Sequence, residues 1–164
     1  MSRPRALVLA AAMAAVPAVA QEPLLASQLD YSLNAARDVP IACKAGDTAR
    51  FPGKTLAQVF GDAWPLQPEP QPDAERVRAQ MTAAVRPRGA MRGMPVQPGV
   101  VVFAVLVAAD GQPLQVEILC ASTEGYDAVI RRMALRSAYR PAAINGAPVT
   151  SVSVQVQKFA GGGN

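Results

Sequence analysis

The chain has 164 residues, with 16 basic and 12 acidic side chains, two cysteines and no histidine. That length allows one compact domain with flanking segments. The missing histidine excludes a histidine-based catalytic triad and a histidine-ligated metal, and a net charge of +4 without a clustered basic face gives no nucleic-acid footprint.

The first twenty residues read as a secretory signal. Arg3 and Arg5 supply the positive start, Ala6 to Val16 is an almost unbroken apolar run, and Ala18-Val19-Ala20 places small residues at the cleavage positions. The apolar stretch is shorter than the roughly 20 residues of a spanning helix and contains Pro17. Cleavage after Ala20 and a location outside the cytoplasm are therefore expected; the alternative is an uncleaved membrane anchor. Loss of Arg3 and Arg5 leaves 14 basic against 12 acidic residues, a charge of +2.

Residues 21–64 are mixed in composition. Two short helical pieces, Leu24–Arg37 and Lys54–Phe60, are expected around a turn-rich centre, with Leu56, Val59 and Phe60 on one face of the second. Residues 65–72 alternate prolines, which lock φ and remove amide donors, so this stretch reads as an extended linker. Asp73 to Val85 has the pattern of a helix, capped by Asp73 and striped by Val77, Met81, Ala84 and Val85. Arg86 to Pro98 reads as irregular, with Arg86, Arg88 and Arg92 on a solvated loop.

The last part of the chain carries the clearest periodicities. Val100 to Val107 is a β-rich run, Asp110-Gly111 a turn, and Leu114 to Cys120 an alternating second strand. Val129, Ile130, Met133 and Ala134 recur at helical spacing, and Pro141 limits that helix to residues before Tyr139. After the Asn145-Gly146 turn, Val152, Val154 and Val156 alternate with Ser153, Gln155 and Gln157 in a third strand. Residues 161–164 read as a disordered tail. The expected fold is α+β, a small three-stranded antiparallel sheet packed against helices over residues 73–160. The first strand is apolar on both faces, so its second face needs a cover, either residues 24–60 or a second copy of the chain.

In an oxidising compartment Cys43 and Cys120 can form a disulfide, the other reading being two separate thiols. By strand parity Cys120 shares a face with Val116 and Ile118, the face expected beneath the helix. Asp110, Glu117, Glu124 and Asp127 fall in turns or on a wet strand face, and Ser122 has no base beside it. The sequence thus offers no catalytic residues, no metal site and no cofactor site, and reads as non-enzymatic.

Several pieces of the C-terminal half occur in a particular order: Gly99-Val100-Val101-Val102-Phe103, Asp110-Gly111, Ser122 with Gly125-Tyr126-Asp127, Tyr139-Arg140-Pro141-Ala142, Asn145-Gly146-Ala147-Pro148-Val149, and a closing Phe159. This ordered set resembles the C-terminal domain of the TonB family. The resemblance implies a periplasmic module that grips a peptide or outer-membrane receptor segment in TonB-dependent transport, the guest adding as a strand to the edge of the sheet. On the residues of this chain that margin is Val152, Ser153, Val154, Gln155, Val156 and Gln157, which include neither proline nor charge. The chain departs from the energy-coupling members of the family in lacking histidine and in having a short proline segment. The module therefore reads as detached from the motor, the alternative being a membrane-anchored transducer.

Overall fold

The computed structural model describes residues 37–67, 71–85 and 97–160. The signal and anchor readings, almost all of the expected Leu24–Arg37 helix, the middle of the proline segment, most of Arg86–Pro98 and the tail lie outside these residues.

The molecule is built mainly from strands. In chain order the elements are β1 (Thr48–Ala49), α1 (Leu56–Phe60), β2 (Arg76–Val77), β3 (Gln80–Ala83), β4 (Gly99–Val107), β5 (Pro113–Ala121), α2 (Asp127–Ala134), β6 (Ala138–Arg140), β7 (Ala142–Ile144), β8 (Ala147–Val149) and β9 (Ser151–Phe159). A four-stranded antiparallel sheet, β1-β5-β4-β9, is accompanied by a three-stranded sheet, β2-β7-β8, and a two-stranded ribbon, β3-β6. The α+β expectation of a three-stranded sheet packed against helices is thereby corrected: the described residues hold nine strands in three sheets and two short helices.

The physical reason lies in two stretches. Asp73 to Val85 is not helical: β2 pairs antiparallel with β7, and β3 with β6. The Val77–Met81 spacing fits a helix, but an isolated helix of that length is marginal in water, whereas strand partners 55 to 68 residues downstream satisfy the backbone groups. Those partners come from Ala138 to Val149, which forms three short strands around Pro141 and the Asn145-Gly146 turn. Asn145 and Gly146 both have positive φ, the conformation a two-residue hairpin requires. Asn145 also accepts the Glu75 amide on its side-chain oxygen and donates its own amide to the Glu75 carbonyl, anchoring the start of β2.

The hairpin β4–β5 turns through Asp110-Gly111. Asp110 accepts the Gln112 amide, and Gly111 sits at φ +87° where a Cβ would lie 2.7 Å from the Tyr139 carbonyl oxygen. The sheet has a core on each face. On one, α2 lays Val129, Ile130, Met133 and Ala134 over Val101, Phe103, Val105, Val116 and Ile118. On the other, Ile41, Leu56, Phe60 and Trp64 cover Val102, Ala104, Leu106 and Leu119. The second face of β4 is therefore covered from within the chain, by residues 41–64. The short α1 is set by a capping box in which Thr55 and Gln58 bond each other's backbone amides.

Cys43 and Cys120 are joined in a disulfide, with Cα atoms 5.7 Å apart. The parity argument for Cys120 fails because the register of β5 shifts between the Val102–Cys120 and Phe103–Ile118 pairs, where Leu119 is an extra residue. This bulge reverses the alternation. Val116 and Ile118 face α2, while Leu119 and Cys120 face the 41–64 cover, within reach of Cys43.

Candidate functional site

The main sheet has two margins, and the sequence treats them differently. Unpaired strand edges recruit foreign strands unless they are blunted. At the β5 margin, β1 pairs with Cys120 and Ala121, and the Arg50 amide bonds the Leu119 carbonyl at 3.0 Å. Further along, the Arg131 guanidinium donates to the Val116 carbonyl and pairs with Glu117 at 2.9 Å, and Pro113 lacks an amide hydrogen. Arg50 is itself held by Glu124 and Asp127, at 2.5 and 3.1 Å. Glu124 lies below its usual carboxylate range because the Arg50 guanidinium donates to it, and Arg50 is raised chiefly by the same bond. These contacts blunt the margin at Pro113, at the Val116 carbonyl and from Leu119 to Ala121.

The β9 margin is capped only at its ends among the described residues, where the Gln67 side chain donates to the Thr150 carbonyl and that of Gln157 to the Lys158 carbonyl. It pairs with β4 on one side, in unbroken register from Gly99–Phe159 to Val107–Ser151, and has no strand on the other. Which of its backbone groups face outward follows from Val100. That residue donates its amide to the Ser122 hydroxyl and accepts the Ser122 amide on its carbonyl, both at 2.9 Å, so its backbone groups face β5. Alternation points Val102, Ala104 and Leu106 the same way, and Val101, Phe103 and Val105 toward β9. Their partners there are Gln157, Gln155 and Ser153. Val152, Val154, Val156 and Lys158 therefore direct their amides and carbonyls away from β4.

Burial shortens the expected site. Val152 and Ser153 are 2% and 3% exposed, sealed respectively in the core under Trp64 and against Ala79, whose carbonyl accepts the Ser153 hydroxyl at 3.2 Å. Gln67 reaches over this end and donates to the Thr150 carbonyl. Val154, Gln155 and Gln157 are half-buried, and Val156 is 46% exposed. Of the six residues expected along the margin, Val154 to Gln157 are accessible and Val152 and Ser153 are not; Lys158 joins the accessible set.

The two sides of β9 differ in chemistry. Val154 and Val156 lie on the face that carries Ala104 and Val102, and Lys158 continues that row. Gln155, Gln157 and Phe159 lie on the face that carries Phe103 and Val101. Gln155 donates to the Ser153 hydroxyl and Gln157 to the Lys158 carbonyl, and Phe159 stacks on buried Tyr126 with centroids 4.0 Å apart. Tyr126 in turn donates to the Gln97 carbonyl, fixing the far end of the strand.

The other polar groups of the expected set have structural partners. Glu117 and Glu124 are in the ion pairs above, Asp110 caps its turn, and Ser122 bonds Val100. Among the described residues no group of cysteine and carboxylate side chains could hold a metal, and no helix is long and apolar enough to cross a membrane. The blunted β5 margin was missed by sequence reasoning because its parts, Arg50, Arg131 and the Leu119 bulge, come from separate stretches. Pro113 and the arginines at 131, 132 and 136 were the signals available in the sequence. No family model matches the chain, and no curated protein matches it.

Proposed function

We propose that the protein is an exported binding module that captures an extended segment of a peptide or outer-membrane receptor by strand addition at β9, and that it performs no catalysis. One observation carries the reading: of the two margins of the main sheet, β5 is capped at Pro113, Val116 and Leu119–Ala121, whereas among the described residues no strand covers the outward backbone groups of Val154 and Val156 on β9, and residues 154–157 include neither proline nor charge. The ordered motifs that resemble the TonB C-terminal domain support a partner in TonB-dependent transport. Several of those motifs position β9 or its surroundings. Tyr139 and Ala142 are buried in the core beneath α2, Arg140 bonds Gln80, and Gly99 and Phe159 close on Tyr126. The signal-like start, Arg3 to Ala20, supports export to the periplasm.

The test exploits the alternation. Proline at 156 removes an outward-facing amide while leaving the β4 bonds of Gln155 and Gln157 intact, so Val156→Pro blocks addition without opening the sheet. Backbone amides of the wild-type protein are followed by NMR during titration with solubilised outer-membrane receptor. Protection gained at Val154 and Val156, and absent in Val156→Pro with its fold retained, supports the reading. Binding that Val156→Pro leaves undiminished overturns it.

A further inference from the structure

We propose that the exposed C-terminal end of α2, with the residue just past β3 beside it, docks on an anionic membrane surface: Arg132 and Arg136 meet lipid headgroup phosphates, and Leu135 and Val85 enter the acyl boundary behind them. The surface uses none of the β9 residues, and the proposal does not rest on strand addition there.

The charge comes from the fold rather than from a basic run in the sequence. Residues 76–109 hold five arginines, residues 128–164 hold four arginines and Lys158, and neither stretch contains an acidic residue. Strand pairing joins the two stretches: β2 lies against β7, β3 against β6 and β4 against β9. Every strand of the first acid-free stretch thus has a partner in the second. Positive charge that is dispersed along the chain is gathered in space.

The patch itself is built at the last turn of α2. Val129, Ile130, Met133 and Ala134 are buried, while Arg132, Leu135 and Arg136 are exposed, about one turn apart. The Leu135 amide still bonds the Arg131 carbonyl, at 3.0 Å, so the turn is regular. Ser137, next after Arg136, accepts the Val85 amide at 3.1 Å, which sets Val85 beside this turn. Leu135 is 48% exposed and Val85 40%. The neighbouring charges are already matched: Arg131 pairs with Glu117, and Asp127 at the start of α2 pairs with Arg50. Arg132 and Arg136 make no ion pair among the described residues. Arg140 bonds the neutral side chain of Gln80 and keeps its charge uncompensated by that contact.

Arginine beside large aliphatic side chains matches the two layers of a membrane surface, anionic headgroups and the acyl chains beneath them. An acidic polypeptide would satisfy the arginines and leave Leu135 and Val85 wet. A nucleic acid would lack a stacking partner, because the large hydrophobic side chains exposed among the described residues include no aromatic ring.

Cosedimentation with lipid vesicles tests the assignment. Exported protein is mixed with vesicles of phosphatidylcholine alone and with vesicles containing about one-third phosphatidylglycerol. Each arginine set against an anionic surface corresponds to about a fivefold gain in partitioning, so the double variant Arg132→Gln/Arg136→Gln should lose about 25-fold on the anionic vesicles. Its Tm should stay at the wild-type value, because both side chains are exposed. Leu135→Gln, which keeps every charge, should lose about fivefold. An uncleaved apolar N-terminus is shared by all variants and drops out of the comparison. Equal partitioning of wild type onto the two kinds of vesicle, or of wild type and double variant onto the anionic kind, overturns the proposal. So does a loss confined to the arginine variant with Leu135→Gln unaffected, which is charge attraction without contact. Arginine-dependent binding of polyglutamate without binding of vesicles assigns the surface to an acidic protein and overturns it as well. Strand addition at β9 is judged separately by Val156→Pro, which leaves this surface untouched.

Discussion

Replacing Cys43 with serine should cost the protein a substantial part of its stability. The disulfide closes a separation of 77 residues, for which the chain-entropy relation gives about 4.5 kcal/mol. Measured losses of native disulfides run from about 2 to 5 kcal/mol, so about 3 is the expected cost. A domain of this size unfolds with an entropy that converts 3 kcal/mol to a fall in Tm of roughly 10–20 °C. The site favours a clean measurement. Cys43 is half-buried at the edge of the 41–64 cover, so serine there is tolerated, and Cys120 sits in an apolar cluster that accepts a buried thiol. Urea unfolding of the variant, and of wild type with and without a thiol reductant, gives the test. Reduced wild type and Cys43→Ser should share one midpoint well below that of oxidised wild type. The cover should still dock when the bond is cut, because Leu56, Phe60 and Trp64 remain buried, each contributing about 1.5–3 kcal/mol. A midpoint unmoved by reductant, or wild-type cysteines that alkylate without reduction, would refute the pairing.

Gly99→Ala should destabilise by about 1–3 kcal/mol, seen in the same unfolding assay, because its Cβ would lie 2.6 Å from the ring of Tyr126, which is buried and stacked on Phe159. Ser151→Ala should leave stability unchanged or raise it by up to about 1 kcal/mol, since the Ser151 hydroxyl is buried without a hydrogen-bond partner among the described residues; a clear loss would reveal a partner. The Arg50 cluster predicts an acid dependence. Glu124 titrates below its unfolded value, so its contribution is present at neutral pH and is lost as pH falls through its folded value. Arg50→Ala should flatten the stability profile between neutral pH and the acid range; an unaltered slope would show that the exposed pair contributes nothing.

The parts of the fold legible in the sequence were those decided by local pattern. The β4–β5 hairpin, α2 and β9 each announce themselves through apolar spacing and a turn at Asp110-Gly111, and all appear close to their expected limits. What the sequence concealed is non-local. Nothing in the Val77–Met81 spacing distinguishes an amphipathic helix from strands whose partners lie beyond residue 138. Strand parity could not reveal that Leu119 bulges, a shift that moved Cys120 to the face opposite the one expected. The same holds for the candidate site. The absence of proline and charge in residues 152–157 was visible, but which residues would be sealed depended on Trp64, Gln67 and Ala79 arriving from elsewhere.

The account stands on the direction of backbone groups along β9, and amide hydrogen exchange measured residue by residue reads that direction. Gln155 and Gln157, bonded to β4, should exchange slowly, while Val154, Val156 and Lys158 exchange at least tenfold faster and slow only when a guest is present. Uniformly slow exchange from Val154 to Lys158 in the unliganded protein would mean that the margin is already occupied, and would contradict the proposed function.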